Sequence, residues 1–300
     1  MLLLNTHIME TILSNNFLRV KTNVKGAELC SIMDLRDNTE HLWQADPAFW
    51  NSHAPVLFPK IGESVNGEIS FSGKKYKMPK HGLARHLDFV ANKKSETEVV
   101  FTLRNNDETL KQYPFRFCFQ ITYVLVENKL RNIYTVINED DKSMPFTVGG
   151  HPAFAVPFFA NEKLEDYLIE FEEAETISRH LIDKNGLFNG VTERVLNNEK
   201  AIPLTNELFN RDALIFKDHV SRKISICSKN HSKKLTVEFA DFPYLGIWAK
   251  PGAPYVCIEP WIGCAENTGK EIDFTEKEHC ITLQPGENFS CEFSVTIEGK

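Results

Sequence analysis

The stretch "FRFCFQITYVLVENKLRNIYTVIN", residues 115–138, consists of two runs rich in Phe, Ile, Val and Tyr on either side of a polar centre. Apolar residues recur at every second position, which is the period of a strand with one buried face. The pattern predicts two strands joined by a compact turn at Glu127–Asn128.

Seven further segments show the same strand-like composition. They are 97–103, 164–172, 223–228, 234–240, 244–249, 255–261 and 289–298. Turn formers separate them at short spacing, and only 106–113 and 275–279 favour helices, each a short one at most. Short strands without alternating helices predict an all-β chain of antiparallel sheets packed face to face. We expect one domain over residues 1–300, with residues 1–8 as a loosely ordered lead-in.

The overall charge and the cysteines exclude several classes of protein. The net charge is −7 with no block of Lys or Arg, which argues against nucleic acid or an anionic membrane as partner. No apolar run approaches the length of a membrane span. The seven cysteines are odd in number and form no C-x-x-C pair, so we expect reduced thiols and a cytoplasmic location.

The common motifs for metals, nucleotides and covalent catalysis are absent from the sequence. Ten histidines occur, but there is no HExxH or close Cys/His cluster, so we expect no metal. A Walker A motif, a G-x-G-x-x-G and a G-x-S-x-G are also missing. We therefore expect no nucleotide cofactor and no serine nucleophile.

Two short segments place ionisable side chains among apolar ones. "TVGGHPAFAVPF" (147–158) carries His151 after a Gly-Gly pair, where a backbone can bend sharply or approach a ligand closely. A hydrogen-bonded structural His is the alternative interpretation. "PYVCIEPWIG" (254–263) carries Glu259, which either faces solvent or lies in a pocket that raises its pKa. Trp261 shares its face on a regular strand, and an acid beside a flat aromatic ring is typical of sugar sites.

Further polar residues lie in "KHGLARHLDF" (80–89), which contains His81 and Arg85, and in "FNRDALIF" (209–216), which contains Asp212. Together with "HAPVLFPKIG" (53–62), "GGHPAF" (149–154) and "FPYLGIWAKPGAPYVCIEPWIG" (242–263), the motif "HGLAR" resembles the aldose 1-epimerase (galactose mutarotase) family. The nearer resemblance is to its LacX-like branch, with hexose-6-phosphate epimerases more distant. The resemblance runs from about residue 10 to residue 298.

The resemblance implies a β-supersandwich with a sugar site in a wide cleft, no metal or cofactor, and a small monosaccharide as the partner. It implies that His151 is the general acid and Glu259 the general base, placed on opposite sides of the reacting centre. It assigns His81 and Asp212 to sugar binding, and Arg85 to the motif form of the LacX-like and sugar-phosphate branches. Ring opening then needs an imidazolium and a carboxylate at the same time.

One position departs from the family pattern. Where members carry a substrate-binding arginine, this chain has Glu63. Either Lys60 or Arg85 supplies the missing cation, or sugar preference has shifted, or activity on ordinary hexoses is weakened or lost. An inward-facing Glu63 would also repel a phosphorylated substrate.

Four functions remain open from the sequence. The first is an aldose 1-epimerase acting on a free hexose such as galactose or glucose, as a monomer or homodimer. The second is a hexose-6-phosphate 1-epimerase, and the third is a catalytically weak sugar-binding protein of the same fold. A glycoside hydrolase would need two carboxylates about a scissile bond, for which Asp212 and Glu259 are the only candidates.

Overall fold

The computed structural model describes residues 10–299, so the predicted lead-in at residues 1–8 lies outside the described residues. The first strands are β1 (Glu10–Ser14), β2 (Leu18–Asn23), β3 (Leu29–Asp34), β4 (Thr39–Glu40), β5 (Val56–Leu57), β6 (Glu68–Phe71), β7 (Lys74–Lys77), β8 (Val90–Lys93) and β9 (Glu98–Arg104). The α-helix α1 (Asp107–Gln112) follows.

The middle of the chain forms β10 (Phe117–Val126), β11 (Lys129–Asn138), β12 (Met144–Phe146), β13 (Val148–Gly150), β14 (Ala153–Ala155), β15 (Tyr167–Glu175), β16 (Ser178–Ile182), β17 (Phe188–Arg194) and β18 (Glu199–Pro203). The last strands are β19 (Leu214–Phe216), β20 (Lys223–Ser228), β21 (Lys234–Glu238), β22 (Tyr244–Trp248), β23 (Tyr255–Ile262), β24 (Ile281–Leu283) and β25 (Asn288–Glu298).

The predicted hairpin at 115–138 is confirmed as β10 and β11. The two strands pair from Phe117 opposite Asn138 to Val126 opposite Lys129, and Glu127 turns the chain with φ of 51°. The hairpin lies within a nine-stranded antiparallel sheet in the order β18-β15-β20-β21-β25-β11-β10-β9-β8. Its buried side chains alternate with half-buried ones, because only one face of this sheet is covered by the core.

A six-stranded sheet carries the functional residues. Its order is β19-β22-β23-β13-β5, and β14 also pairs with β23. All eight residues of β23 are buried, because other parts of the protein cover both of its faces.

The six-stranded sheet packs closely against the nine-stranded one. A side chain on Gly150 of β13 would place its Cβ 2.9 Å from Cε1 of Phe293 and 3.0 Å from the hydroxyl of Tyr134. Phe58 and Phe119 stack with ring centroids 4.4 Å apart inside the same core. Face-to-face packing of antiparallel sheets is therefore confirmed. One domain over residues 1–300 stays a prediction, which a single main core from residue 13 to residue 297 supports.

The remaining strands form small sheets. Strands β1 to β4 make a four-stranded sheet in chain order, and β6-β7, β12-β24 and β16-β17 are two-stranded. The helix expected in 106–113 is α1, which Asn106 caps by accepting the backbone N–H groups of Glu108 and Thr109. Segment 275–279 contributes only to a 3₁₀ turn, Phe274–Glu276. Among residues 10–299, no helix has the length and apolar character needed to cross a bilayer.

Candidate active site

A cavity of about 310 Å³ lies against the six-stranded sheet, with β19, β22 and β23 contributing to its wall. This volume falls at the lower end of the range for small-molecule pockets, about 300–1,000 Å³. The lining includes every side chain that the sequence analysis assigned to the site: His81, Arg85, His151, Asp212 and Glu259. Residues that are far apart in the chain therefore meet around one space large enough for a small ligand.

His151 and Glu259 are in direct contact at this cavity. Nε2 of His151 lies 3.1 Å from Oε2 of Glu259, and both side chains are buried. The expectation that the two groups stand on opposite sides of a bound sugar is therefore wrong, since they are neighbours.

Gly149 and Gly150, before His151, are required because neighbouring atoms leave no room for a side chain at these positions. Neither glycine has a positive φ, and both belong to β13. A Cβ on Gly149 would lie 2.6 Å from the carbonyl oxygen of Pro260 and 2.9 Å from Cδ1 of Trp261. The missing side chains let β13 fit between β23 and β5 and pack closely against the large sheet, and His151 follows directly after this strand.

Burial shifts the pKa values of His151 and Glu259 in the directions that favour the uncharged form of each side chain. Burial raises the pKa of Glu259 well above its ordinary value, and the nearby charge of Lys80 opposes that rise. Burial, with a contribution from Arg85, lowers the pKa of His151 to about 3. Both shifts favour a protonated Glu259 beside an uncharged His151 over the ion pair. The predicted rise in the pKa of Glu259 agrees with this, whereas a stable imidazolium at His151 does not.

His81 is held as a neutral donor by its surroundings. Its Nδ1 accepts the backbone N–H of Gly62 at 3.2 Å, which leaves the proton on Nε2. Burial lowers the pKa of His81 well below its ordinary value. Its ring lies edge-on to His151, with centroids 5.8 Å apart. His81 can thus donate one hydrogen bond to a ligand oxygen beside the pair.

Three tryptophans form aromatic walls. The rings of Trp50 and Trp248 lie 5.0 and 5.9 Å from the ring of His151, measured between centroids. Trp261 lines the same cavity two residues after Glu259, as the strand period predicts. Its six-membered ring packs over Gly246 of β22, where a Cβ would lie 2.8 Å from Cζ2 and Cη2.

Asp212 presents its carboxylate from the loop before β19. Its backbone has a φ of 67°, and Oδ1 accepts the N–H of Ala213 at 2.7 Å. The side chain is exposed, so its remaining acceptor capacity is available to hydroxyl groups in the cavity.

Two cations line the cavity without an acidic partner. Among residues 10–299, neither Lys80 nor Arg85 has a carboxylate within 4.0 Å. Nη2 of Arg85 donates to the hydroxyl of Ser52 at 3.3 Å, which leaves the rest of the guanidinium free. Both cations are therefore available to a polar or anionic ligand.

Glu63 does not line the cavity. Its Oε1 accepts from Nζ of Lys60 at 3.3 Å and from the backbone N–H of Ser64 at 2.9 Å. Lys60 is fully buried and donates also to the carbonyl of Met78. Of the two alternative cations, Lys60 pairs with Glu63 and is not among the cavity lining, whereas Arg85 is. The cations at the cavity are Arg85 and Lys80, so Glu63 gives no ground for repulsion of a phosphorylated substrate or for weakened sugar binding.

Several lining residues were missed by sequence reasoning. Lys80 stands directly before His81, and that adjacency was its only signal. Trp50 and Trp248 gave no signal in the sequence, because the residues that they contact in the cavity are distant from them in the chain. The hairpin β16–β17 also contributes a wall, through Ile182, Gly186 and Phe188.

Comparison with known sequences identifies relatives of the whole chain. A family profile described as aldose 1-epimerase matches residues 10–296. The chain is similar to the chromosomal LacX protein of Lactococcus lactis subsp. lactis, with 33% identity over 298 residues, 95% of this chain and 98% of the relative. The plasmid LacX protein of the same organism is 32% identical over 295 residues, 95% and 98% of the two chains.

Solved structures agree with the sequence relatives. A galactose mutarotase-like protein from Lactobacillus casei superimposes with a TM-score of 0.90 and 35% identity, over 96% of this chain and 100% of that one. A galactose mutarotase related enzyme from Lactobacillus acidophilus gives 0.90 and 34%, over 97% and 98%. The predicted galactose-mutarotase-like β-supersandwich is confirmed.

Proposed function

Because the chain belongs to the aldose 1-epimerase family, we propose that it interconverts the α and β anomers of a free hexose such as galactose or glucose. The observation that carries the proposal is the contact between His151 and Glu259 in a cavity of small-molecule size. The surrounding tryptophans suit the C–H faces of a sugar, and His81 and Asp212 suit its hydroxyl groups.

The reaction needs two proton transfers in each direction. Glu259 accepts the proton of the anomeric hydroxyl O1 while His151 donates a proton to the ring oxygen O5. The C1–O5 bond breaks with its electron pair moving to O5, and C1 becomes an aldehyde. Rotation about the C1–C2 bond exposes the other face of the aldehyde. O5 then attacks C1, its proton returns to His151, and Glu259 returns its proton to O1.

The buried setting of the pair suits both transfers. A raised pKa makes the Glu259 carboxylate a stronger base, and a lowered pKa makes the His151 imidazolium a stronger acid. The pair carries one proton throughout, on His151 beside the closed ring and on Glu259 beside the open chain. Because burial favours the neutral arrangement, it stabilises the open-chain complex relative to the closed one.

Anomer exchange measured by NMR or polarimetry tests the proposal. We expect Glu259→Gln and His151→Asn each to lower the catalysed rate by about 10²–10⁴-fold. Matched controls are Glu170→Gln and His279→Asn, two exposed positions away from the cavity, which should keep the wild-type rate. Wild-type exchange in the Glu259 and His151 variants would contradict the assignment.

A second candidate substrate is a hexose carrying a phosphate group. It is favoured by two cations at the cavity, Lys80 and Arg85, that pair with no carboxylate in the described part of the chain. A phosphorylated sugar would then exchange faster than the free sugar, and its advantage would fall with added salt. Lys80→Met would remove part of that preference while leaving the maximal exchange rate of the free hexose, at its optimal pH, near wild type.

Cytoplasmic location belongs to the same proposal. All seven cysteines are free within the described residues, which suits a reducing compartment. Assembly as a monomer or homodimer stays a prediction.

A further inference from the structure

A third donor group lies beside the His151–Glu259 pair and takes no part in the proposed reaction. One ligand atom each from His151, Cys257 and Glu259 lie within 4.8 Å of one another, and all three residues are buried. Cys257 and Glu259 are two residues apart on β23, so their side chains share a face. His151 reaches them because the next strand, β14, pairs with β23 through Ala153 and Cys257.

One carboxylate oxygen of this cluster has no hydrogen-bond partner within residues 10–299. It is Oε2 of Glu259, which is buried and lies 3.1 Å from Nε2 of His151 without hydrogen-bond geometry. Buried polar atoms are nearly always paired, so this oxygen points to a ligand.

A second cluster of the same donor types is already satisfied internally. Glu28, Cys30 and His53 also approach within 4.8 Å. Oε1 of Glu28, however, accepts the backbone N–H groups of His53 and Ala54 at 2.8 and 3.0 Å. The carboxylate of the Cys257 cluster is therefore less engaged in hydrogen bonds than the carboxylate of the Glu28 cluster.

The donor set suits a thiophilic divalent cation. A thiolate, an imidazole and a carboxylate are the three kinds of protein ligand that zinc accepts, and two of the three residues, His151 and Glu259, line the cavity. Charge also fits, because a thiolate and a carboxylate together neutralise a dication in a buried place. Soft thiolate ligands select zinc over magnesium, which prefers oxygen donors and keeps its waters.

We propose that His151, Cys257 and Glu259 bind Zn²⁺, and that the bound ion inhibits the protein by occupying its acid and its base. The metal site stands on the geometry of the three ligands alone. Only the inhibition rests on the proposed function.

Calorimetric titration of the purified chain with Zn²⁺ tests the site. We expect one zinc per chain at this site in the wild type and in Cys30→Ser, and at least about tenfold weaker binding in Cys257→Ser. Mg²⁺ should not bind in its place. Equal zinc affinity in Cys257→Ser and wild type, or a loss caused by Cys30→Ser instead, would overturn the proposal.

Binding of Co²⁺ in place of Zn²⁺ tests the site in the wild-type protein, so it does not depend on whether a variant folds. Co²⁺ bound here should show thiolate-to-cobalt charge-transfer absorption in the near ultraviolet, and a wild-type complex without that band would overturn thiolate ligation. Galactose should weaken zinc binding if both share the cavity. Zinc binding that depends on Cys257 but ignores galactose would support the metal site and count against the proposed sugar site.

Discussion

Strand β10 buries every second side chain from Phe119 onward, whereas strand β23 buries all eight of its residues, although both lie inside their sheets. In β10, a polar side chain on the outer face reaches water and costs little. In β23, Glu259 is buried even though it lines the cavity, so burial raises its pKa. The sheet with one covered face accommodates polar side chains in water, whereas the strand covered on both faces holds a carboxyl group with a raised pKa.

The largest expected difference between β10 and β23 is a loss of stability without a loss of activity, caused by a substitution at the centre of β10. Phe119 is fully buried and stacks on Phe58. We expect Phe119→Ala to lower the free energy of unfolding by about 3–5 kcal/mol, with unchanged activity per folded molecule. Urea denaturation measures the loss. Val126→Ala, at the exposed end of the same strand, should cost no more than about 0.5 kcal/mol. Loss of activity without loss of stability in Phe119→Ala would contradict this division.

A buried histidine outside the cavity, His41, allows a second test. His41 lies outside the cavity, neither ring nitrogen has a hydrogen-bond partner within residues 10–299, and burial lowers its pKa to about 4. The unfolded chain therefore takes up a proton at higher pH than the folded one. Stability contributed by neutral His41 is present above about pH 6.5 and is lost toward pH 4, by about 1.4 kcal/mol per pH unit.

His41→Leu should flatten that part of the stability profile and leave anomer exchange intact. Thermal unfolding between pH 4 and pH 7 measures the slope. An unchanged slope in the variant would show that other groups cause the acid sensitivity.

A smaller effect on activity and stability is expected from a substitution at Gly246, where β22 pairs with β23. Gly246 lies opposite Glu259, and a Cβ on it would press on the Trp261 ring at 2.8 Å and approach Cβ of Glu259 at 3.3 Å. Gly246→Ala should displace the base, lowering the exchange rate by about 10–100-fold and stability by about 1–3 kcal/mol. Gly286→Ala, where the added Cβ meets open space, should cost only backbone strain and leave the rate unchanged.

The smallest effect concerns the charge around the pair. Burial raises the pKa of Glu259, and the Lys80 ammonium holds that rise back. Lys80→Met should therefore move both limbs of the pH–rate profile for a free hexose to higher pH, by less than about one unit. Lys94→Met, an exposed lysine outside the cavity lining, is the control. A shift to lower pH would contradict the assigned sign.

Sequence patterns predicted seven of the nine strands of the large sheet, all but β8 and β18, and they predicted β22 and β23 of the six-stranded sheet but not its shorter strands. Alternation located β10, β11 and the turn between them, and segment 223–228 coincides with β20. Strand β15 begins at Tyr167, later than predicted, because Leu164–Asp166 forms a 3₁₀ turn. The short strands of the six-stranded sheet, such as β5 and β13, have too few residues to show a period.

The candidate site was reached by resemblance to a family and not by pattern. Periodicity cannot reveal that Glu63 turns toward Lys60, because the pairing depends on a loop conformation. It cannot place Lys80 at the cavity either, since an exposed lysine before a turn looks like any surface lysine. The neighbouring positions of His151 and Glu259 arise from pairing between β13, β14 and β23, which only the folded chain defines.

The hairpin β16–β17 forms its own two-stranded sheet, outside the hydrogen-bonded order of both large sheets, yet it supplies Ile182 and Phe188 to the cavity wall. Substitutions there change the shape of the cavity while the large sheets keep their strand pairing. Substitutions in one short hairpin can therefore change which ligand the cavity admits. Grafting that hairpin between relatives offers the same freedom to protein engineering.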